Sequence, residues 1–482
     1  MIDSMRRFKS RSMLFVIFYF ILAGNSFSQI TNNNLQARLD SLLSSDFFKS
    51  SQIAIDIYDL TNKEPVFNKN EKLLLRPASV EKILTTCTAL LFLDDDFTFK
   101  TKIYHTGEID DSVCYGDLYI VGGFDPDFTS HDLDSLVREI KNYGINEIRG
   151  NLYADVSAGD SLFWGNGWMW DDDPGPFAAY LSPLNIDDNS IEVIYEPGII
   201  GKPANIELLP QNNFIPIKNN SITSDTGKTT IKISRDWINR QNTITLTGNI
   251  KIYEKRDTTS VNIFNPNIYF LHLMEESLNR NSIKLIGKVD TLTLNPEAEE
   301  IFTIERNIDT VLVNMNKTSD NLSAEMVLRA IASSYFPKPA TAENGIIIVD
   351  SLITIAGFNS INYKIADGSG LSFYNLISPE LVTGILKYFY YDEEDLFVKL
   401  YNTFPISGYD GTLENRMKNS RVERRVHAKT GTLSGASNLA GYLQTKSGSM
   451  LAFSIFVHNY VEHATQARKF QDKICEILFE EL

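Results

Sequence analysis

Ser79 and Lys82, in the run Arg76-Pro77-Ala78-Ser79-Val80-Glu81-Lys82, place a hydroxyl three residues ahead of an amine. Residues three apart on a helix share a face. A hydroxyl beside an amine that can be held neutral is a nucleophile beside its base. About one or two Ser-x-x-Lys matches arise by chance in a chain of this size, so the pair needs company. It has Ser319-Asp320-Asn321 and then Lys429-Thr430-Gly431. Each tripeptide has a chance probability of only ~0.1, and the three motifs follow in a fixed order.

The elements that must position these residues are readable. Pro77, with Ile83, Cys87, Leu90 and Leu91 at helical spacing, predicts a helix carrying Ser79 in its first turn. Leu322, Met326, Ala330 and Ile331 predict a helix over 321–335, which puts the second motif at a helix start. The third lies on a strand over 426–430, ahead of a hairpin, 438–445 and 450–458, around Lys446-Ser447-Gly448-Ser449. A short helix (35–43), a strand (52–58) and a hairpin partner (65–67) precede the serine helix; helices are expected over 343–356, 379–390 and 464–479. Between the first two motifs the character changes. Strands at 97–105, 116–123, 150–155 and 282–289, helices at 132–143 and 265–279, and a run of short strands over 191–252 read as insertions carried by the first domain.

The chain of 482 residues is too long for one core, and its net charge of −16 argues against a nucleic-acid partner. Arg6, Arg7, Lys9 and Arg11 precede an apolar run from Met13 to Ala23 and a small-residue stretch ending at Ser28, the pattern of an export signal cleaved before Gln29. The run is short of the roughly twenty residues a membrane span needs, an uncleaved anchor being the alternative reading, and no other segment could span. The chain is therefore expected in the periplasm or cell envelope, without a stable membrane span. The three cysteines, Cys87, Cys114 and Cys475, form no disulfide framework, and Cys87 reads as a buried small hydrophobe. Six histidines show no metal-ligand spacing, and no cofactor is expected. Asp171-Asp172-Asp173 reads as a solvated turn, and Asp367 and Asp410 sit in glycine-flanked turns. Trp164, Trp168 and Trp170 admit two readings, packing between domains or a glycan surface, with packing favoured.

The three motifs together resemble those of class A β-lactamases and penicillin-binding proteins. On that resemblance Ser79 attacks a peptide carbonyl to give an acyl-enzyme and Lys82, held neutral by burial and by the charge of Lys429, takes its proton. Ser319 relays a proton to the departing amine; Asn321 binds a substrate amide; Lys429 and Thr430 hold a terminal carboxylate. Gly431 lets an extended substrate lie close, and the N–H groups of Ser79 and Thr432 serve as oxyanion donors. Ser-Asp-Asn is also a good helix cap by itself.

The separation of Ser79 from Ser319 is far larger than a compact β-lactamase uses. It resembles the class C low-molecular-mass penicillin-binding proteins, the D-alanyl-D-alanine carboxypeptidase/endopeptidase family. The resemblance runs through Leu118–Pro126, Gly167–Asp172, Asp367-Gly368-Ser369-Gly370-Leu371-Ser372, Gly408–Leu413 and Asn438–Tyr442. It implies an α+β fold: a serine DD-peptidase/β-lactamase-like domain, an antiparallel sheet flanked by helices, with two nested β-rich insertions. The expected divisions are a signal peptide, 1–28; a peptidase domain, 29–95 and 300–482; a second domain, 96–190 and 259–299; and a third, 191–258. The resemblance also assigns Asp155 to the amine of the stem-peptide diamino acid. It departs at Phe373, where the family has Arg, and at Ser434, where it has Gln. Peptidoglycan stem peptides and β-lactams are the implied partners, and exported D-Ala-D-Ala cleavage is the implied activity. A β-lactamase or esterase on the same machinery, separated by its deacylation rate, and a non-catalytic envelope scaffold are the alternatives.

Overall fold

The computed structural model describes residues 34–482; the expected export signal lies outside the described residues. The chain divides into two compact units.

The first unit holds residues 34–75, Ser378–Asp392 and Phe404–Leu482. Its centre is a five-stranded antiparallel sheet in the order Val426–Leu433, Ala436–Gln444, Met450–His458, Gln52–Asp59, Glu64–Lys69. Ile53, Ile55 and Ile57 alternate onto one face and pack with Leu35, Leu39 and Leu43 of helix 34–43 and with Ala467, Ile474 and Leu478 of helix Thr465–Glu481. The other face carries helix Pro379–Asp392, where the Tyr442 hydroxyl donates to Leu386 O (2.8 Å). With helices on both faces, the two central hairpin strands are buried at almost every residue. They read as apolar runs rather than as alternating strands for that reason.

The second unit holds Arg76–Ile377 and Glu393–Thr403. One part is helical: Lys82–Phe92, Ile308–Lys317, Asn321–Tyr335, Ala342–Ile355 and Glu394–Thr403. The buried Asn316 amide ties three of these together, donating to Thr86 Oγ1 (2.8 Å) and Thr403 Oγ1 (3.0 Å). Two of the helices, Ile308–Lys317 and Glu394–Thr403, were not expected from the sequence. Each follows the preceding element with at most one residue between, so no Gly or Pro marks the join.

The other part is the insertion. Its main sheet runs Val289–Thr291, Leu152–Asp155, Leu118–Val121, Thr98–His105, Glu299–Asn307. Leu118–Val121 pairs parallel with Leu152–Asp155 across helix Ser130–Asn142, a βαβ crossover. That helix starts at a capping box between Thr129 and Asp132 and buries Leu133, Leu136, Val137 and Ile140 at helical spacing. Glu299–Asn307 pairs along all of Thr98–His105, so the boundary expected after residue 299 falls at the first residue of this strand. The strand expected over 282–289 is two short ones, Lys284–Leu285 and Val289–Thr291. They are parted by Gly287, where a Cβ would stand 2.1 Å from Gly150 O. The all-β expectation over 191–252 holds: Ser190–Glu196 pairs with Asn205–Leu209 and Asp257–Asn262, and Ile244–Lys251 with Ile217–Ser224 and Lys232–Arg235. Both β-rich parts share one core, from Ile103 to Ile283. Cys87, Cys114 and Cys475 are free and buried.

Candidate active site

Ser79 does not sit in an α-helix. It lies in a 3-10 turn, Ala78–Glu81, that leads into helix Lys82–Phe92, with the Lys82 N–H donating to Ser79 O. Side chains three apart eclipse in a 3-10 turn. That geometry brings the Lys82 Nζ to 3.0 Å from Ser79 Oγ. Ala78, just before the serine, has φ of 48°, left-handed for a residue with a Cβ, a strain of order 1–3 kcal/mol. Gly370 closes over it: a Cβ there would stand 1.9 Å from Ala78 O.

Lys82 is fully buried and its amine has three partners. Besides Ser79, it donates to Asn321 Oδ1 (2.5 Å) and Ser369 O (2.8 Å). Burial lowers its pKa to about 8, against the opposing pull of Asp320, Asp367, Glu325 and Glu81. A protonated amine donates to all three partners. A neutral one keeps two and turns its lone pair toward the serine hydroxyl.

Asn321 is held at the start of helix Asn321–Tyr335. Asp320 is the N-cap, accepting from Ser323 N (2.5 Å), and Asn321 Nδ2 donates to Phe177 O (2.7 Å). The capping reading of this motif falls to Asp320, while Asn321, expected to bind a substrate amide, accepts from the Lys82 amine, a contact the sequence did not predict. Ser319 precedes the cap with φ of 66°, a second left-handed residue at the site.

The carbonyl that receives Lys82 belongs to the loop 367–372. Asp367, 1% exposed, gathers that loop. Its Oδ1 accepts from Gly370 N (2.9 Å) and Asn375 Nδ2 (2.6 Å), and its Oδ2 from Ser372 N (2.7 Å), Ser369 Oγ (3.1 Å) and Trp168 Nε1 (2.9 Å). Glu325 Oε1 adds Gly368 N and Ser369 N, both at 3.0 Å. Sequence reasoning noted the motif but not this use, because a backbone carbonyl leaves no mark in residue type. Phe373, at the family's Arg position, lies under the Arg76 guanidinium at 4.9 Å.

Glu81 is 1% exposed, and neither carboxyl oxygen has a hydrogen-bond partner. Burial, then the nearby Asp367, pushes it well above the carboxylate range, so it is carried protonated. Glu81→Gln, a near-isostere of that form, is expected to leave the melting temperature unchanged and penicillin acylation within about twofold. A loss beyond about tenfold would show a charged group at work there.

In the first unit, Lys429, Thr430, Gly431 and Thr432 lie on Val426–Leu433, the outermost strand of its sheet. Lys429 is fully buried and donates to Thr430 O (3.0 Å); Thr430 Oγ1 donates to Thr412 Oγ1 (2.8 Å). Thr432 is exposed, its hydroxyl accepting from Arg468 (3.3 Å). Asp155 ends its strand in the second unit, 4% exposed, accepting from Ser157 N and Leu294 N, both at 2.8 Å. Among the described residues no His, Cys, Asp and Glu group suits a metal ion, and no helix is long and apolar enough to cross a membrane.

A serine hydroxyl against a buried lysine, at the head of a helix in an α+β fold, defines a serine hydrolase of the penicillin-binding class. The chain belongs to the D-Ala-D-Ala carboxypeptidase 3 (S13) family, whose sequence model matches residues 35–480. It is 30% identical over 444 residues to the D-alanyl-D-alanine carboxypeptidase DacB of Haemophilus influenzae, covering 87% of this chain and 91% of the relative. It is 28% identical over 457 residues to the D-alanyl-D-alanine carboxypeptidase of Actinomadura sp. (strain R39), covering 90% and 82%. The crystal structure of penicillin binding protein 4 from Haemophilus influenzae superposes with a TM-score of 0.80 at 27% identity, covering 92% of this chain and 98% of that one. The expected class, an α+β low-molecular-mass penicillin-binding protein with serine carboxypeptidase machinery, is borne out. Such proteins work in the cell envelope.

Proposed function

We propose that the chain is exported to the periplasm and cleaves peptidoglycan stem peptides at D-Ala-D-Ala, on free stems and on cross-links, through an acyl-enzyme on Ser79. The observation that carries it is the Lys82 amine: buried, its pKa lowered, and 3.0 Å from the Ser79 hydroxyl. Ser79 Oγ attacks the scissile carbonyl as its proton passes to Nζ. The N–H groups of Ser79 and Thr432 hold the oxyanion, and Asn321 the substrate amide. Ser319 passes a proton to the departing amine, and water then hydrolyses the ester. Lys429 and Thr430 take the terminal carboxylate, with Gly431 leaving room for the substrate backbone. Asp155 is assigned to the stem amine on the resemblance alone. β-Lactams, which carry an analogous carbonyl and carboxylate, acylate the same serine.

Digestion of purified muropeptides, monomeric and cross-linked, read by mass spectrometry, tests this. Loss of one alanine from pentapeptide monomers, and of the bridge from dimers, is the expected result; unchanged products would refute it. Only the neutral amine accepts the serine proton. Acylation by penicillin is therefore expected to rise with pH to a plateau, with a midpoint at about 8. A rate flat between about pH 6 and 10 would remove Lys82 from the base role.

A further inference from the structure

The three tryptophans that read together in the sequence do not act together in the structure. Trp168 is buried on Asp367, with Trp164 edge-on against it (5.3 Å). Trp170 is 70% exposed and lies beside Trp237 from the nested β-rich part, ring centres 5.3 Å apart and planes tilted by 35°. Beside this pair opens a cleft of about 440 Å³, lined by both indoles and by Phe163, Trp164, Ile238 and Arg240, whose guanidinium lies 5.5 Å from the Phe163 ring.

This cleft is built on a rigid base. Beneath it the fully buried Arg235 forms an ion pair with Asp173 and donates to Asn262 Oδ1 (3.0 and 3.2 Å) and Gln241 O (3.1 Å). Asp173 Oδ2 also accepts from Tyr180 (2.7 Å). A buried ion pair is weak evidence for stability, because desolvation offsets its attraction. Here it locks the loop bearing Trp170 to the turn bearing Trp237, two segments distant in sequence. The turn is fixed further by Asp236, whose backbone bonds Thr243 and Gln241 and whose carboxylate bonds Asn239.

We infer that the Trp170–Trp237 cleft is a binding subsite for the glycan strand of peptidoglycan, a β-1,4-linked N-acetylhexosamine chain. The two indoles pack against each other and present a bent aromatic wall of the cleft, on which the C–H face of a sugar ring can stack, and Arg240 at its edge offers donors to acetamido and carboxylate oxygens. The occupant follows from continuity with the site. The loop that carries Trp170 also carries Phe177, whose carbonyl accepts from Asn321 (2.7 Å). Seven residues span at most about 25 Å, and an extended stem of four residues about 14 Å. An extended stem at Asn321 covers more than half of that greatest span, and the glycan strand to which it is joined can cover the rest. The inference rests on the proposed function for its ligand.

The test is titration of the full chain with the β-1,4-linked N-acetylglucosamine tetramer, read by tryptophan fluorescence, with fluorescent-penicillin labelling and a melting curve on the same samples. A saturable change is expected, weakened at least about tenfold in Trp170→Ala and in Trp237→Ala, the loss of one aromatic stacking contact. Penicillin labelling and melting are expected to be unchanged in both. No saturable change up to about 10 mM, or equal binding by both variants, would overturn the inference. So would self-association abolished by Trp170→Ala in sedimentation, which would make the cleft a contact between copies. Failure of the proposed function shows separately, as absent penicillin labelling in the wild type.

Discussion

Ser79→Ala is expected to abolish covalent labelling by fluorescent penicillin and to lower D-alanine release by about 10⁴–10⁶, as removal of a nucleophile does in other serine hydrolases. The size follows from the site. Lys82 has one hydroxyl partner, and Asn321 and Ser369 accept its other two bonds. No second hydroxyl among those partners can take over. The fold should hardly notice. Ser79 is half-buried, and losing its hydroxyl leaves Lys82 with two of its three partners. The melting temperature is therefore expected to stay within about 2 °C of the wild type. Retained labelling, or an unfolded variant, would contradict this account.

Asp367→Ala carries the other large effect, and it acts on both fold and activity. Five donors converge on this buried carboxylate: two side-chain N–H groups, two backbone amides and one hydroxyl. Each buried donor left unpaired costs about 1–3 kcal/mol, so a loss of at least about 3 kcal/mol is expected after relaxation. Loop 367–372 also presents the Ser369 carbonyl to Lys82, so penicillin acylation should fall by at least about tenfold in whatever folds. Asp367→Asn should not rescue, because it sets an NH₂ against N–H donors. Trp168, bonded to Asp367, gives the readout: a changed emission spectrum below the melting transition. An Asp367→Asn variant with wild-type acylation would overturn the positioning role.

Much of this site was legible because its chemistry needs particular side chains at particular spacings. Ser79 and Lys82 are three apart, and that interval faces them whether the turn is α or 3-10. Asn321 was legible because Ser-Asp-Asn marks a helix start, and a helix start fixes where the next side chain goes. What escaped was whatever the backbone or the tertiary fold supplies. Ser369 contributes a carbonyl, which any residue has. Glu81 looks like a surface residue beside a lysine until its burial is seen. The tryptophan cluster reads as one feature along the chain, yet burial divides Trp168 from Trp170, and the latter's partner Trp237 is far away in sequence. In the fold, most long periodic elements were found; the helices that follow another element with no turn between were missed, as were the strand Glu299–Asn307, which runs straight into the next helix, and the two-residue strands Ile109–Asp110 and Val113–Cys114, too short to show a period.

The pairing of Thr98–His105 with Glu299–Asn307 bears on how so long an insertion is tolerated. The two strands are in register from Thr98 opposite Asn307, and just inside them Ile308 N donates to Phe97 O (3.2 Å). The chain thus leaves the helical part and returns to it at one point, through a closed two-stranded neck. For a flexible loop the closure entropy grows with length, adding only about 0.6 kcal/mol per doubling. Here even that term does not reach the helices, because the neck's own ladder has already brought the ends together. The serine and its lysine lie before the neck, and the Ser-Asp-Asn helix after it. Apart from the loop that brings Trp168 to Asp367 and Phe177 to Asn321, the chain beyond the neck can lengthen, shorten or acquire new surfaces while the spacing of Ser79, Lys82 and Asn321 stays as it is.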